Sequence, residues 1–277
     1  MRGINQKTLK ETITLHGVGL HNGKNVNLYL KPAEVNHGIK FKRIDIDSNN
    51  IVEASYKNVK SPVLCTRIEN SGGISISTIE HLMAAFYICG IDNLIVKVDG
   101  PEIPIMDGSA DEFVKIINNT GNKTLDKKRK FIKISKKIEL KEENKSISIE
   151  PSDDCFKVKF SLSYNNPIIK NQTNEINFQK NDLKEIYSAR TFCLFEDIEK
   201  IKKMGLAKGG SLENAIVVDD DKILNKDGLR NEKEFVNHKI LDCMGDLYLS
   251  GFKIIGNINC SQGGHLLTNE LLRKVFE

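Results

Sequence analysis

The sequence contains no tryptophan, and aromatic residues make up only 6% of its 277 residues. Lysine and arginine number 41 against 37 aspartates and glutamates, which gives a net charge of +4. Proteins that stack nucleic-acid bases interleave aromatic side chains with a basic stripe, and no such stripe is present. We therefore expect no nucleic-acid partner. The mild positive charge is compatible with an anionic small molecule or with transient contact at a membrane surface.

The six cysteines form no Cys-x-x-Cys pair and are scattered through apolar segments. This pattern is typical of reduced, buried thiols in a cytosolic protein, not of a disulfide framework or a cysteine zinc site. The first ten residues are polar and lack the apolar core of a signal peptide. The longest apolar runs, such as 91–98, are far shorter than the roughly 20 residues that a bilayer requires. These features predict a cytoplasmic protein.

The order of predicted elements divides the chain into two similar halves. The first half has strands, then a helix, a strand and a helix, at residues 10–15, 26–32, 39–44, 78–89, 93–98 and 110–118. The second half repeats the order, with an additional helix, at residues 131–134, 146–150, 156–162, 198–204, 235–249, 251–260 and 269–276. This order predicts an α+β fold of two similar domains, each a β-sheet packed with helices in two layers.

The segment between the two halves, GNKTLDKKRK at 121–130, is polar and shows no apolar periodicity. We interpret it as a solvated connector, because a basic run of this kind is more often exposed than part of a binding site. The predicted domains are accordingly an N-terminal α+β domain at 1–121 and a C-terminal α+β domain at 129–277.

Three residues could hold a metal ion. His238 and Asp242 are four residues apart on the predicted helix 235–249, so their side chains share one face, which Asp246 extends by a turn. His81, in the first turn of helix 78–89, could add a second imidazole. Two histidines and one carboxylate leave a position open for water, as in catalytic zinc sites. Zinc lowers the pKa of such a water to about 7, and Glu80 could then act as the general base.

The same residues also have simpler interpretations. Ser77 and Glu80 have the spacing of a capping box. His238 and Asp242 have the spacing of an exposed i,i+4 pair, and a lone histidine such as His81 is more often part of the core than a ligand. Spacing alone does not bring residues 81 and 238 together.

Two glycine-rich segments could contact a ligand. His265 follows Gly263 and Gly264 between a predicted strand and helix, where it could serve as a general acid or be an ordinary loop histidine. The segment 205–211 could hold a phosphate, but it lacks the residue order of a P-loop.

Six segments together resemble the UDP-3-O-acyl-N-acetylglucosamine deacetylases, which catalyse the committed step of lipid A (lipopolysaccharide) synthesis in Gram-negative bacteria. These segments are TITLHGVGLHNGK at 12–24, STIEHLMAAFYICGIDN at 77–93, PEIPIMDGSA at 101–110, GLAKGGSLENAIVVDD at 205–220, DGLRNEKEFVNHKILDCMGDL at 227–247 and GGHLLTN at 263–269. The resemblance is collinear over essentially the whole chain and is looser at 121–185.

The resemblance implies one zinc ion per chain, with His81, His238 and Asp242 as its ligands. It also implies the catalytic roles of four residues: Glu80 as general base, His265 as general acid or electrostatic partner, Asp246 as the residue that orients it, and Thr191 as an oxyanion-stabilising hydroxyl. The substrate-contacting positions that it implies are Phe192, Lys239, Gly210 and Cys65.

The resemblance further implies an active site at the interface of the two domains and one insert per domain. We map the second insert to about 192–221. In the family this insert forms an apolar passage for the acyl chain, and the residues here that suit it are Leu194, Phe195, Ile198, Ile201, Met204 and Leu206. An amphipathic core helix is the alternative interpretation of these residues. The expected partner is UDP-3-O-acyl-N-acetylglucosamine, and we expect the protein to be a monomer.

Two other functions fit the same residues. Two histidines and a carboxylate are also the ligand set of non-haem Fe(II) oxygenases, which require oxygen and a reductant. A non-enzymatic protein that binds nucleotide sugars could use these histidines and aspartates structurally, and it would contain no stoichiometric metal.

Overall fold

The computed structural model of the protein describes residues 4–60 and 63–277. The first three residues of the predicted N-terminal domain thus lie outside the described residues. Within the described part, five sheets and six α-helices form the α+β fold that the sequence predicts. Among these helices, none is both long and apolar enough to cross a membrane. All six cysteines are free thiols, and only Cys193 is not fully buried.

The first half is built around a five-stranded sheet. Its elements are β1 (Asn5–Leu9), β2 (Ile13–Val18), β3 (Asn25–Pro32), β4 (Ile39–Arg43), β5 (Ile51–Glu53), β6 (Ile68–Glu69), β7 (Ser75–Ile76), α1 (Glu80–Cys89), β8 (Leu94–Val98) and α2 (Asp111–Thr120). The sheet order is β2-β3-β8-β4-β5, and β8 runs antiparallel to β3 and parallel to β4. In β8, Leu94, Val96 and Val98 are buried while the residues between them are half-buried, so one face of the sheet meets the core.

The second half repeats this topology. Its elements are β9 (Asn122–Lys128), β10 (Phe131–Lys133), β11 (Ile138–Glu142), β12 (Lys145–Glu150), β13 (Phe156–Ser163), β14 (Asn171–Asn177), α3 (Lys184–Tyr187), β15 (Phe192–Leu194), α4 (Phe195–Lys203), β16 (Ile216–Asp219), β17 (Lys222–Ile223), α5 (Glu234–Leu247), β18 (Lys253–Ser261) and α6 (His265–Phe276). The main sheet has the order β11-β12-β18-β13-β14, in which β18 is antiparallel to β12 and parallel to β13. The central strand of the sheet is β8 in the first half, which follows α1, and β18 in the second half, which follows α5. Strand β10 pairs in parallel with β18.

The helices α1 and α5 pack against each other at the centre of the molecule. Every residue of α1 except Ile88 is buried, and every residue of α5 except Lys239 is buried. A helix that is buried on all sides needs no polar face, which explains why both helices are apolar around their whole circumference except at a few positions. Gly90 ends α1 with a φ of 69°, the left-handed conformation that favours glycine at the end of a helix.

The interpretation of 121–130 as solvated is confirmed by its mostly exposed side chains, but the segment is not a connector without secondary structure. Residues 122–128 form β9, which pairs antiparallel with β1, a strand that the sequence analysis missed. This two-stranded sheet leaves most side chains of β9 exposed, so its sequence is polar although its backbone is hydrogen-bonded. Arg129 follows β9 and binds Asp92 through two hydrogen bonds of 2.6 and 2.7 Å. The domain boundaries at 121 and 129 stay predictions.

The predicted insert coincides with a small separate sheet. Strands β15 and β16 are parallel, α4 connects them, and β17 pairs antiparallel with β16. No residue of α4 is fully buried, and Phe195 and Met204 are more than half exposed, at 52% and 54%. The alternative interpretation of α4 as an ordinary core helix was therefore wrong. The apolar passage itself stays a prediction.

Candidate metal centre

The structure brings His81, His238 and Asp242 together where α1 meets α5. The Nε2 atom of His81 lies 3.3 Å from Oδ1 of Asp242, and Nε2 of His238 lies 3.4 Å from the same oxygen. One potential ligand atom from each residue lies within 4.8 Å of the other two. All three side chains are buried. The interpretation of His238 and Asp242 as an exposed i,i+4 pair was therefore wrong.

Several polar atoms of this cluster have no hydrogen-bond partner within the described part of the chain. Oδ1 of Asp242 and Nδ1 of His81 are both buried and unpartnered. Burying a polar atom without a partner costs free energy. A cation between the carboxylate oxygen and the two imidazole nitrogens would remove this cost by binding all three atoms. Two nitrogen ligands and one oxygen ligand suit zinc and also Fe(II). The residues present thus fit a divalent metal ion.

The imidazole of His238 is held in one tautomer. Its Nδ1 lies 3.0 Å from the carbonyl oxygen of Ala189, which can only accept a hydrogen bond, so Nδ1 carries the proton. The lone pair of Nε2 is then directed at Asp242. Burial lowers the pKa of His238 to about 3, so the ring is neutral at physiological pH. A neutral ring with a fixed tautomer is the form in which histidine binds a metal.

Asp242 is held as a carboxylate. Burial opposes its charge, but the charged Lys239 beside it helps to outweigh burial, and the pKa of Asp242 is held well below its ordinary value. The Nζ atom of Lys239 lies 2.8 Å from Oδ2 of Asp242 and 5.7 Å from the centre of the Phe192 ring. Oδ2 is thus neutralised by lysine, while Oδ1 stays free for a cation.

Glu80 begins α1 and lies beside His81, but it caps no helix. The N-cap position is Ile79, no side chain bonds to the first turn, and the Ser77 hydroxyl donates to the carbonyl of Pro101. The capping-box interpretation was therefore wrong. Oε2 of Glu80 accepts a hydrogen bond of 3.0 Å from the backbone N–H of Thr66. Burial raises the pKa of this carboxyl, which makes it a better proton acceptor than an exposed glutamate.

His265 faces Glu80 across the site. Its Nε2 lies 4.0 Å from Oε1 of Glu80, and its Nδ1 lies 2.7 Å from Oδ2 of Asp246. The other oxygen of Asp246 accepts a 2.5 Å hydrogen bond from the Thr66 hydroxyl. Burial disfavours the charged ring, but Asp246 outweighs burial and raises the pKa of His265 to about 9. His265 is therefore an imidazolium at neutral pH. It is the first residue of α6, four residues earlier than the predicted helix start.

Thr191 and Phe192 lie next to the cluster on the chain segment that carries Ala189. The backbone N–H of Thr191 donates to the Gly108 carbonyl at 2.8 Å, and among the described residues its hydroxyl has no hydrogen-bond partner. The Phe192 ring centre lies 6.4 Å from that of His238. Phe192 therefore borders the buried cluster and Thr191 precedes it in the chain, whereas the contact of either residue with a ligand stays a prediction.

The other two predicted substrate positions differ from each other. Cys65 is buried, and burial followed by the charge of Glu80 raises the pKa of its thiol to about 12. It therefore lies near the cluster as a neutral group. Gly210 belongs to the loop 205–211, which packs on the turn between β2 and β3, where the N–H of Gly209 donates to the carbonyl of Leu20. Within the described residues, no hydrogen bond joins Gly210 to the metal cluster.

Three features of the site were missed in the sequence. Gly245 lies against the backbone of Glu80, Thr66 binds both Glu80 and Asp246, and the Ala189 carbonyl orients His238. A glycine in the middle of a helix is a signal, because it costs about 1 kcal/mol relative to alanine unless packing requires it. The backbone N–H of Thr66 and the carbonyl of Ala189 carry no sequence signal.

Comparison with known proteins agrees with the geometry. The sequence model of the family "LpxC: UDP-3-O-acyl N-acetylglycosamine deacetylase" matches residues 6–277. Proteins named UDP-3-O-acyl-N-acetylglucosamine deacetylase are similar to this chain. The protein of Thioalkalivibrio sulfidiphilus is 46% identical over 99% of this chain and 90% of its own length. The protein of Hahella chejuensis is 46% identical over 99% of this chain and 91% of its own length. The protein of Aliivibrio fischeri is 42% identical over 99% of this chain and 90% of its own length. The chain belongs to the UDP-3-O-acyl N-acetylglycosamine deacetylase family.

Proposed function

We propose that this protein hydrolyses the N-acetyl group of UDP-3-O-acyl-N-acetylglucosamine and releases acetate, which is the step of lipid A biosynthesis that its family performs. The observation that carries the proposal is the placement of a potential base and a potential acid close to each other, beside a buried two-histidine, one-carboxylate cluster. The Nε2 atom of His265 lies 4.0 Å from Oε1 of Glu80, beside the cluster of His81, His238 and Asp242.

The proposed cofactor is one Zn²⁺ ion per chain, held by His81, His238 and Asp242. Zinc in this position supplies the Lewis acidity that amide hydrolysis requires. Three protein ligands leave room for a fourth, as in catalytic zinc sites. The neutral ring of His238 and the ionised Asp242 support this assignment, since both are already in their metal-binding protonation states.

Glu80 acts as the general base in the proposed mechanism. A water attacks the carbonyl carbon of the acetamide, and its proton passes to a carboxylate oxygen of Glu80. The hydrogen bond from Thr66 holds one oxygen of Glu80 in place, and Oε1 faces the site. The hydroxyl of Thr191 donates a hydrogen bond to the oxyanion that forms on the carbonyl oxygen, and a metal ion held by His81, His238 and Asp242 would supply further positive charge there.

His265 acts as the general acid. When the C–N bond breaks, the proton on Nε2 of His265 passes to the amine nitrogen of the glucosamine, and acetate leaves. Asp246 holds the opposite ring nitrogen at 2.7 Å, so it both orients the ring and keeps it protonated. Glu80 can return its proton to His265 across the site after acetate departs, which restores both groups.

Two of the proposed substrate contacts lie beside residues of the cluster. Lys239 and Phe192 lie beside Asp242 and His238 and would meet the sugar or diphosphate, while Gly210 and Cys65 complete the proposed set. The exposed apolar side chains of α4 support its assignment as part of an acyl passage, because a helix with no fully buried residue leaves its apolar groups available to a fatty acyl chain.

We further infer that the protein is a cytoplasmic monomer that meets membrane surfaces only transiently. Six free thiols and no disulfide among the described residues are consistent with a reducing compartment. A UDP-linked sugar substrate fits the same location.

The test is an acetate-release assay on UDP-3-O-acyl-N-acetylglucosamine combined with metal quantification of the purified protein. We expect about one zinc per chain and acetate release that is equal in air and under anaerobic conditions. An oxygen requirement would indicate the Fe(II) oxygenase instead. A protein that binds the UDP-sugar without stoichiometric metal or acetate release would be the non-enzymatic binding protein.

A further inference from the structure

Arg190, in the chain segment 188–191, is bound by one buried carboxylate. Glu234, at 0% exposure, accepts hydrogen bonds from the backbone N–H of Arg190 at 3.1 Å, from Nε of Arg190 at 2.8 Å and from its Nη2 at 3.1 Å. A fourth donor, the backbone N–H of Arg230, lies 2.6 Å from the second oxygen. The side chain of Arg230 also holds the Ser188 carbonyl at 2.7 Å. Glu234 therefore fixes both the backbone and the side chain of Arg190.

The residue before Arg190 contacts the metal cluster, and the residue after it is fixed by backbone hydrogen bonds. The carbonyl of Ala189 accepts the Nδ1 proton of His238 at 3.0 Å. The backbone of Thr191 is tied to Gly108 at 2.8 Å on one side and to Ile216 at 2.8 Å on the other. A shift of Arg190 would thus move the group that selects the tautomer and the ring angle of His238.

We propose that Arg190 and Glu234 form a positioning pair that fixes the metal ligand His238 through the carbonyl of Ala189. The proposal rests on the metal site described under the proposed function. Groups that orient a ligating histidine typically affect metal affinity or activity by about 10- to 100-fold when they are changed. Glu234 itself begins α5, which carries His238, so Arg190 is the partner whose effect on the ring passes through the neighbouring Ala189 carbonyl.

The chain offers a second ion pair of the same design away from the site. Arg129 binds Asp92 through Nε and Nη2 at 2.6 and 2.7 Å, and its Nη2 also binds the Gly90 carbonyl at 2.6 Å. Arg190 likewise uses Nη2 to bind a backbone carbonyl, that of Gly228, at 2.7 Å. Both arginine side chains are 9% exposed. The Arg129 pair lies at the C-terminal end of α1, whereas the metal cluster lies at its N-terminal end.

This similarity supplies a matched comparison of Arg190→Lys with Arg129→Lys. Lysine keeps the positive charge but cannot form the bidentate hydrogen bonds of arginine to the carboxylate together with its hydrogen bond to a backbone carbonyl. Both variants lose buried hydrogen bonds of the same kind, so their metal-free forms should lose thermal stability to a similar degree. Only Arg190→Lys should loosen the Ala189 carbonyl.

The measurement is the zinc dissociation constant by competition with a chromogenic chelator, together with the visible absorption spectrum of the cobalt-substituted protein. We expect Arg190→Lys to bind zinc about 10- to 100-fold more weakly and to show an altered cobalt spectrum. Arg129→Lys should match the wild type in both. Equal zinc affinity and an unchanged spectrum in Arg190→Lys would overturn the proposal, as would an equal loss in both variants.

A second variant covers the case in which Arg190→Lys does not fold. Glu234→Gln keeps the side-chain shape and removes the charge. Weaker zinc binding with an altered cobalt spectrum would support the positioning pair, and wild-type zinc affinity with an unchanged spectrum would overturn it. The wild-type control separates this inference from the proposed function. A wild-type protein that binds no zinc would refute the metal site itself, whereas a zinc-binding wild type with unaffected variants would refute only the positioning pair.

Discussion

Gly245 on α5 lies directly against the carbonyl oxygen of Glu80 on α1, and a methyl group at position 245 would come 2.0 Å from that oxygen. Real Cβ atoms do not approach an oxygen so closely, so only glycine allows this contact. The two helices therefore meet backbone to backbone next to His81. Asp242 lies less than one turn away on α5, so the close approach sets how near the ligands from the two helices can come.

Replacing this glycine should weaken the metal site. In Gly245→Ala the helices must separate to accept the methyl group, which moves His81 away from His238 and Asp242. Overpacking of this kind typically costs about 1–3 kcal/mol of folding free energy. We expect a lower melting temperature and weaker zinc binding, measured by thermal unfolding and chelator competition. Gly100→Ala is the control, since its added Cβ would meet only Val26 at an ordinary 3.7 Å. Wild-type zinc affinity in Gly245→Ala would show that the helix contact does not set the ligand geometry.

The central helices could be predicted from the sequence because their apolar composition and end signals are local. The predicted span 235–249 differs from α5 by one residue at its start and two at its end. Helix α1 begins two residues later than predicted because Thr78 has a φ of 58°, outside the helical region, and its hydroxyl binds Glu102. The polar strands β9, β11 and β14 were missed, since exposed side chains on a strand leave little apolar alternation to detect. Strand β1 was missed because two of its buried side chains, Gln6 and Thr8, are polar.

The site was only partly predictable for a different reason. The i,i+4 spacing places His238 and Asp242 on one helical face, but no local pattern places His81 opposite them. That juxtaposition depends on the packing of α1 on α5, so it entered the sequence analysis through the family resemblance. Backbone groups such as the Ala189 carbonyl have no residue-specific signature, and only the structure shows their contacts.

Removing the carboxylate of Glu80 should abolish turnover without removing the metal. Glu80→Gln keeps the side-chain size but cannot accept a proton from the attacking water, and loss of a general base typically lowers the rate by about 10²–10⁴-fold. The check is kcat for acetate release alongside zinc content. Glu270→Gln, at an exposed position of α6, is the control and should behave like the wild type. Normal turnover by Glu80→Gln would assign the proton transfer to another group.

Activity should fall at high pH as His265 loses its proton. Because the pKa of His265 is raised from 6.5 to about 9, its acid form persists well above neutral pH. The alkaline limb of kcat/KM should therefore lie near pH 9. On the acid side, the limb should follow Glu80, whose pKa burial raises. Asp246→Asn removes the main charge that keeps the ring protonated, so its alkaline limb should move to lower pH. An alkaline limb that stays in place would exclude His265 as its source.

The same shift has a consequence for stability. A histidine whose folded pKa exceeds its unfolded value stabilises the fold fully below the unfolded pKa, here about 6.5, and loses that contribution as pH rises through about 9. The wild type should therefore lose more stability between pH 6.5 and 9 than Asp246→Asn does. Denaturant unfolding at the two pH values measures the difference. Parallel losses in the two proteins would contradict the coupling between Asp246 and His265.

Metal removal should destabilise the protein reversibly. Without a cation, Oδ1 of Asp242 has no partner in the buried cluster, so a ligand that binds only the folded state adds stability. At a zinc concentration 100 times the dissociation constant this amounts to about 2.7 kcal/mol. We expect chelation to lower the melting temperature and abolish acetate release, and added zinc to restore both. In His81→Gln, added zinc should no longer raise the melting temperature. In His16→Gln, a change at an exposed histidine that contacts Asn27, zinc should still raise it. A zinc-dependent increase that survives in His81→Gln would mean that the ion binds elsewhere, because within this cluster His81 is the only ligand that α1 contributes.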